Sequence, residues 1–212
     1  MVLYPAPALA SLDLPMIATP DDVLTLWFGP GPQPTEAHRA AWWKKDPAFD
    51  RGLSERFGPT LERAAAGELG AWAATPRGRV ALVLVLDQFS RQIWRDTPAA
   101  FAQDPLAVQL CLEALAREED RALALHERLF LIMPLMHSES LAMQDLAITT
   151  FEGLAADGKA QGDAGYEGNL SYAHAHRDII LRFGRYPHRN AILGRPSTAE
   201  ESHFLTQPGS SF

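Results

Sequence analysis

The sequence predicts an all-α, multi-helical single domain, and three observations carry that expectation. A helix N-cap residue followed by proline recurs at Thr19-Pro20, Asp46-Pro47, Thr75-Pro76, Thr97-Pro98 and Asp104-Pro105. Thr or Asp accepts the free N–H groups of a first helical turn, and proline at the first position gives up only an N–H that had no partner. Each signal leads into a stretch with apolar residues at helical spacing. The 212 residues are 47% hydrophobic and 21% charged, which suits one domain with a sizeable core and excludes a disordered chain.

The elements follow in order. Residues 1–18 are rich in Pro, Ala and Leu without a clean period and form an N-terminal arm, leaving 19–212 as the helical domain. A first helix over about 20–28 stops at Gly29-Pro30-Gly31-Pro32. A second covers roughly 34–44 and presents Trp42 and Trp43. The third, after Asp46-Pro47, sets Phe49, Leu53, Phe57 and Leu61 on one stripe and closes near Gly67. The run Val80 to Leu86 reads either as a buried strand or as a helix apolar on all sides; the length of 79–94 and the Thr75-Pro76 start favour a central helix. Further helices are expected over about 105–118, 125–133, 135–156 and 170–184, with a glycine-rich loop in 158–168. Ser197 and Glu200 match a capping box for a final short helix.

Composition narrows the function classes. The net charge of −7 excludes a protein built to coat nucleic acid. Cys111 is the single cysteine, which excludes an internal disulfide framework or a multi-cysteine zinc site and suits a reducing compartment. The N-terminus shows no basic segment before an apolar run, and Val80–Leu86 is too short to span a bilayer, so the expectation is a cytoplasmic protein with no membrane partner. There are 16 arginines and three lysines; arginine makes planar, forked contacts with carboxylates and phosphates that lysine cannot make.

Three polar clusters could carry chemistry. The central helix ends in Asp87-Gln88-Phe89-Ser90-Arg91-Gln92, where Asp87 and Arg91 share a face, as do Gln88 and Gln92. An acid directly after an apolar run needs a partner: Asp87 either locks helices through arginine or helps to line a pocket. His137-Ser138-Glu139-Ser140 has neither the two-histidine spacing of a metalloprotease helix nor the flanking glycines of a nucleophile elbow. The densest cluster runs from His174 to Arg195 and holds Arg177, Arg182, Arg185, Arg189 and Arg195 against one acid, Asp178. Gly184 ends the helix, Pro187 blocks its return, and irregular backbone presents His188, Arg189 and Asn190. His174 and His176 fall on different sides of a helix, and the seven histidines form no recognised ligand spacing, so no metal is expected.

Several stretches together carry a family resemblance: Trp27-Phe28-Gly29, Trp42-Trp43-Lys44-Lys45-Asp46-Pro47-Ala48-Phe49-Asp50, Leu86-Asp87-Gln88-Phe89-Ser90-Arg91, His137-Ser138-Glu139, the run from Phe183 through Arg195, and Ser197-Thr198-Ala199-Glu200-Glu201. In this order, over roughly residues 21–212, they resemble the bacterial family called domain of unknown function 924. The resemblance implies a tetratricopeptide-like antiparallel helix array and no established activity. Arg91-Gln92 stands where Arg-Asn is expected, and Tyr186 where phenylalanine is common.

Two functions compete. In one, Asp87, Gln88, Arg91, His137, Glu139, His176, Arg185, His188, Arg189 and Asn190 converge on a pocket for a small polar or anionic ligand, with no cofactor assigned. If that pocket is enzymatic, His137 or His188 is the general acid–base and the arginines hold the anion. In the other, the helices form a scaffold for a protein or peptide and expose Trp42, Trp43 and Trp72 along a groove.

Overall fold

Side-chain caps set where the helices of this chain begin, and the computed structural model, which describes residues 17–211, shows four of them in its first half. Thr19 caps α1 (Pro20–Phe28): its hydroxyl accepts the Asp22 N–H, and the Asp22 carboxylate accepts the Thr19 N–H. Thr35 caps α2 (Glu36–Trp42) through the His38 N–H. Asp46 accepts two N–H groups of α3 (Pro47–Ala65), and Thr75 accepts the Gly78 N–H of α4 (Pro76–Val83). Of the arm expected over 1–18, residues 1–16 lie outside the described residues; Ala18 donates its N–H to the Thr60 hydroxyl.

The stretch 76–93 is helical throughout. After α4 the helix widens into a π turn, Leu84–Phe89, and tightens again in α5 (Ser90–Ile93). The run Val80–Leu86 is buried on every side, which explains why its hydrophobic pattern has no period. Side chains take up carbonyls at the widened turn: Ser90 Oγ donates to Leu86 O and Arg91 Nη1 to Asp87 O. Single π turns inside α-helices concentrate at functional sites.

Two of the five cap-proline signals have other outcomes. Thr97 leads only into a 3₁₀ turn, Pro98–Phe101, and its hydroxyl donates back to Trp94 O. Asp104 is the first residue of α6 (Asp104–Ala116) rather than its cap; its carboxylate turns to two arginines instead of the helix N–H groups. Both Asp104 oxygens are engaged by guanidinium groups, Oδ1 by Arg91 and Oδ2 by Arg91 and Arg189.

The sequence places a break near Pro134, but α7 (Leu125–His137) runs through it. Leu129–Met136 are all buried, and that burial outweighs the roughly 3 kcal/mol a proline costs inside a helix. The chain turns at 138–140 into α8 (Leu141–Ala160), then into α9 (Tyr166–Phe183), which begins four residues before the expected 170. Gly184 ends α9 in the left-handed region, φ 69°, where a side chain would be strained. A 3₁₀ turn, Pro187–Arg189, precedes α10 (Ala199–Phe204), capped by Thr198 with Glu201, one residue later than the Ser197–Glu200 pairing the sequence suggests.

The central helix packs against α1, α3, α6 and α7, while α8 lies between α7 and α9. The main core joins Val80–Leu86 and Phe89 to Trp27, Phe57, Phe130 and Phe151. A smaller apolar cluster, Ile179, Ile180 and Tyr186 with Phe183 and Phe204, sits under the last turns. Arg79, 1% exposed, bonds to Glu113, Glu119 and the Ala73 carbonyl and ties α4 to α6. Among the described residues no helix is long and apolar enough to cross a membrane.

Candidate functional site

Polar side chains gather where the main core meets the smaller apolar cluster. Asp87, on the π turn, is wholly buried and is met from two helices. Its Oδ1 lies 2.7 Å from His137 Nδ1, at the end of α7, and 3.0 Å from Arg91 Nη1; its Oδ2 accepts Gln88 Nε2 at 2.6 Å. Burial alone would raise the Asp87 pKa, but Arg91 and His137 beside it hold the carboxyl below the usual range.

Arg91 continues to Asp104, with Nη1 2.9 Å from Oδ1 and Nη2 donating to Oδ2 at 3.0 Å. Arg189, carried in by the Pro187–Arg189 turn, reaches the same Asp104 oxygen with Nη1 at 3.3 Å. Its guanidinium lies 4.5 Å from the Tyr186 ring centroid and 4.6 Å from that of Phe101. This placement gives Arg189 aromatic contact on two sides. Its buried Nε finds no hydrogen-bond acceptor among the described residues. Burial and the neighbouring Arg91 charge push its pKa down. Burial also acts against Arg91, yet Asp87 and Asp104 raise its pKa.

The histidines line the same region. The His176 ring on α9 lies tilted 6.2 Å from that of His137 and meets Tyr186 edge-on at 5.7 Å, with Nδ1 2.8 Å from Tyr172 O. Burial, with His137 beside it, lowers its pKa to about 3. His188 packs 5.4 Å from Tyr186, and burial with Arg189 lowers it to about 4. Both rings are therefore neutral near pH 7. Tyr186 is fully buried: its hydroxyl donates to Met136 O and accepts from Gln144 Nε2 at 2.8 Å. Burial pushes the phenol pKa up.

Of the residues singled out in the sequence, Asp87, Gln88, Arg91, His137, His176, His188 and Arg189 form one connected cluster. Glu139 borders it, accepting the Tyr186 N–H at 2.8 Å and two bonds from Arg195 at 2.6 and 2.8 Å. Asn190 accepts from Arg195 Nε and donates to Ser197, and Arg185 makes two bonds to Glu201. Arg185 and Asn190 thus brace the turn from behind. Asp104, Phe101, Gln144 and Tyr186 also belong to the cluster, although the sequence does not mark them as site residues. Asp104 was hidden by its resemblance to a cap; Phe101 gave no signal, because a lone aromatic in a short turn is ordinary.

The aromatic residues do not form an open row. Trp42 packs on Phe28 and Phe130 and donates Nε1 to Trp27 O, Trp72 is half-buried, and Trp43 is exposed. Among the described residues no three His, Cys, Asp or Glu side chains converge as a metal cage.

The comparisons agree with this architecture. A family model described as "Bacterial protein of unknown function (DUF924)" matches residues 23–209. A solved structure of a protein of unknown function from Agrobacterium tumefaciens is 36% identical, covers 88% of this chain and 96% of its own, and superposes with a TM-score of 0.75. No curated protein matches.

Proposed function

The chain belongs to the bacterial family of unknown function DUF924, and we propose that its polar cluster binds a small anionic ligand, with Arg189 as the main recognition group. The observation that carries this reading is the Arg189 guanidinium. It is 6% exposed and lies against the Phe101 and Tyr186 rings; its Nη1 bonds Asp104, and among the described residues its buried Nε has no acceptor. A buried donor without a partner is costly, and an arginine edge formed by Nε and Nη2 matches a carboxylate or phosphate in two parallel bonds. Arg91, joined to Arg189 through Asp104, adds a second positive charge. The π turn under Asp87 supports the same placement.

The rival role, a helical scaffold for a protein or peptide, has less behind it. Of the three tryptophans that would line such a groove, Trp43 alone is exposed.

Thermal unfolding with inorganic phosphate and with acetate tests the proposal, using the natural chain and Arg189→Lys. Lysine keeps the charge and loses the fork. A ligand that binds only the folded state stabilises it by about 2.7 kcal/mol at a hundredfold excess over Kd. A saturable rise in Tm for at least one anion, lost in Arg189→Lys, is the expected result. Equal shifts in both proteins, or none in either, would refute it.

A further inference from the structure

His137, His176 and His188 share the cluster, and their surroundings separate their roles. His176 is buried, and its Nδ1 faces the Tyr172 carbonyl. His188 is partly buried, packs against Tyr186 and is tied by the backbone at Ser210. His137 differs from both. Its Nδ1 is 2.7 Å from a carboxylate oxygen of Asp87, and its side chain keeps 12% of its surface exposed. A carboxylate accepts only an N–H, so Nδ1 carries the proton and Nε2 carries the lone pair in the neutral ring.

We infer that His137 is a general base oriented by Asp87, and that it takes a proton from an O–H of a small ligand whose anionic group rests on Arg189. The inference rests on the anion-binding reading for the ligand and on the Asp87–His137 geometry for the base. In the step, the Nε2 lone pair forms the new N–H bond, the ligand O–H breaks, and its electron pair stays on oxygen. The imidazolium keeps its Nδ1–H on Asp87. The new negative charge develops on the ligand oxygen beside Nε2, while Asp87, whose Oδ1 also meets Arg91 Nη1, balances the imidazolium. The charged and titratable groups around His137 are Asp87 and Arg91 on the central helix and His176 on α9, with Arg189 and His188 beyond His176. Asp87 is a positioning residue: it fixes the tautomer and the ring direction and does not itself meet the ligand.

The base can be read without knowing the substrate. Diethyl pyrocarbonate acylates the neutral imidazole lone pair, and peptide mass spectrometry at pH 7 gives a rate for each histidine. His174 and His203, both exposed, set the ordinary scale, and buried His126 sets the slow one. His137 is expected to react at least as fast as His203 despite its burial, and Asp87→Asn to slow it tenfold or more. The nitrogen-15 shifts of His137 in the natural chain give a second readout that survives an unstable variant. They should show the Nδ1–H tautomer.

A His137 rate near that of His126, an Nε2–H tautomer, or a folded Asp87→Asn variant with an unchanged rate would overturn the inference. Inorganic phosphate should protect His137. Fast reaction with no protection and no thermal shift would keep the base and overturn the anion reading, so the two failures are distinguishable.

Discussion

Arg189 and Asp104 lie 85 residues apart in the chain and 3.3 Å apart in the fold. The contact fastens the last turn of the molecule to the start of α6, and Arg91 grips the same carboxylate from the central helix. One acid therefore holds two arginines.

Replacing that acid should separate stability from binding. Asp104→Asn leaves two mostly buried guanidinium groups short of a counter-charge, and breaking a buried pair from one side costs about 3 kcal/mol. Urea unfolding is expected to show that loss in buffer without multivalent anions. Phosphate should restore more stability to the variant than it adds to the natural chain, since it can replace the missing carboxylate. A variant as stable as the parent would show that Asp104 is not the shared anchor.

Tyr186→Phe probes the floor of the site. The hydroxyl lies in a buried network with Gln144 and the Met136 carbonyl, and losing it should cost about 1–2 kcal/mol in chemical denaturation. The ring stays under Arg189, so the anion-induced rise in Tm should persist. Loss of that rise with the fold intact would place the hydroxyl in the binding surface.

His176 and His188 make the fold acid-sensitive. Their ordinary value is 6.5, and burial lowers them to about 3 and about 4. The unfolded chain thus binds more protons than the folded one between these values. Stability is full above pH 6.5 and falls as the pH drops toward 4 and then 3. Urea midpoints followed from pH 7 to pH 4 should decline less steeply in a His176→Gln, His188→Gln double variant. An unchanged slope would mean that the two rings titrate normally in the folded protein.

Gly78→Ala tests the start of the central helix. Alanine ordinarily favours a helix, but here its Cβ would press into the Trp72 backbone carbonyl and toward the Thr75 hydroxyl. A carbonyl fixed in a 3₁₀ turn cannot swing aside, so thermal unfolding should show a loss of about 2 kcal/mol. A stabilised variant would contradict the packing of Gly70–Ala74 on α4.

What the sequence reveals here is mostly local. Thr19, Asp46 and Thr75 declare their helices because a cap and its N–H groups lie within three residues. Gly184 and Pro187 mark the turn that delivers Arg189 for the same reason. Asp87 and His137 were legible as polar residues at the ends of apolar helices, although their 2.7 Å contact joins residues 50 apart. Asp104 misled because its local pattern, acid before proline, suits a cap, while its partners lie 13 and 85 residues away. Pro134 misled in the opposite direction: its local penalty is real, and tertiary burial along α7 outweighs it. Long-range pairing, rather than chemical type, is the information that a single sequence hides.

The proposed anion completes the Arg189 fork, and the Nε–H of that one side chain reports its binding. Nitrogen-15 NMR should follow the arginine Nε–H resonances while inorganic phosphate is added. Arg79 supplies the control, because its buried Nε already donates to Glu119 at 2.8 Å. The expected result is a saturable shift of the Arg189 Nε–H with the Arg79 resonance unmoved. Saturable phosphate binding that leaves the Arg189 resonance in place, or no saturable change at any resonance, would contradict the claim.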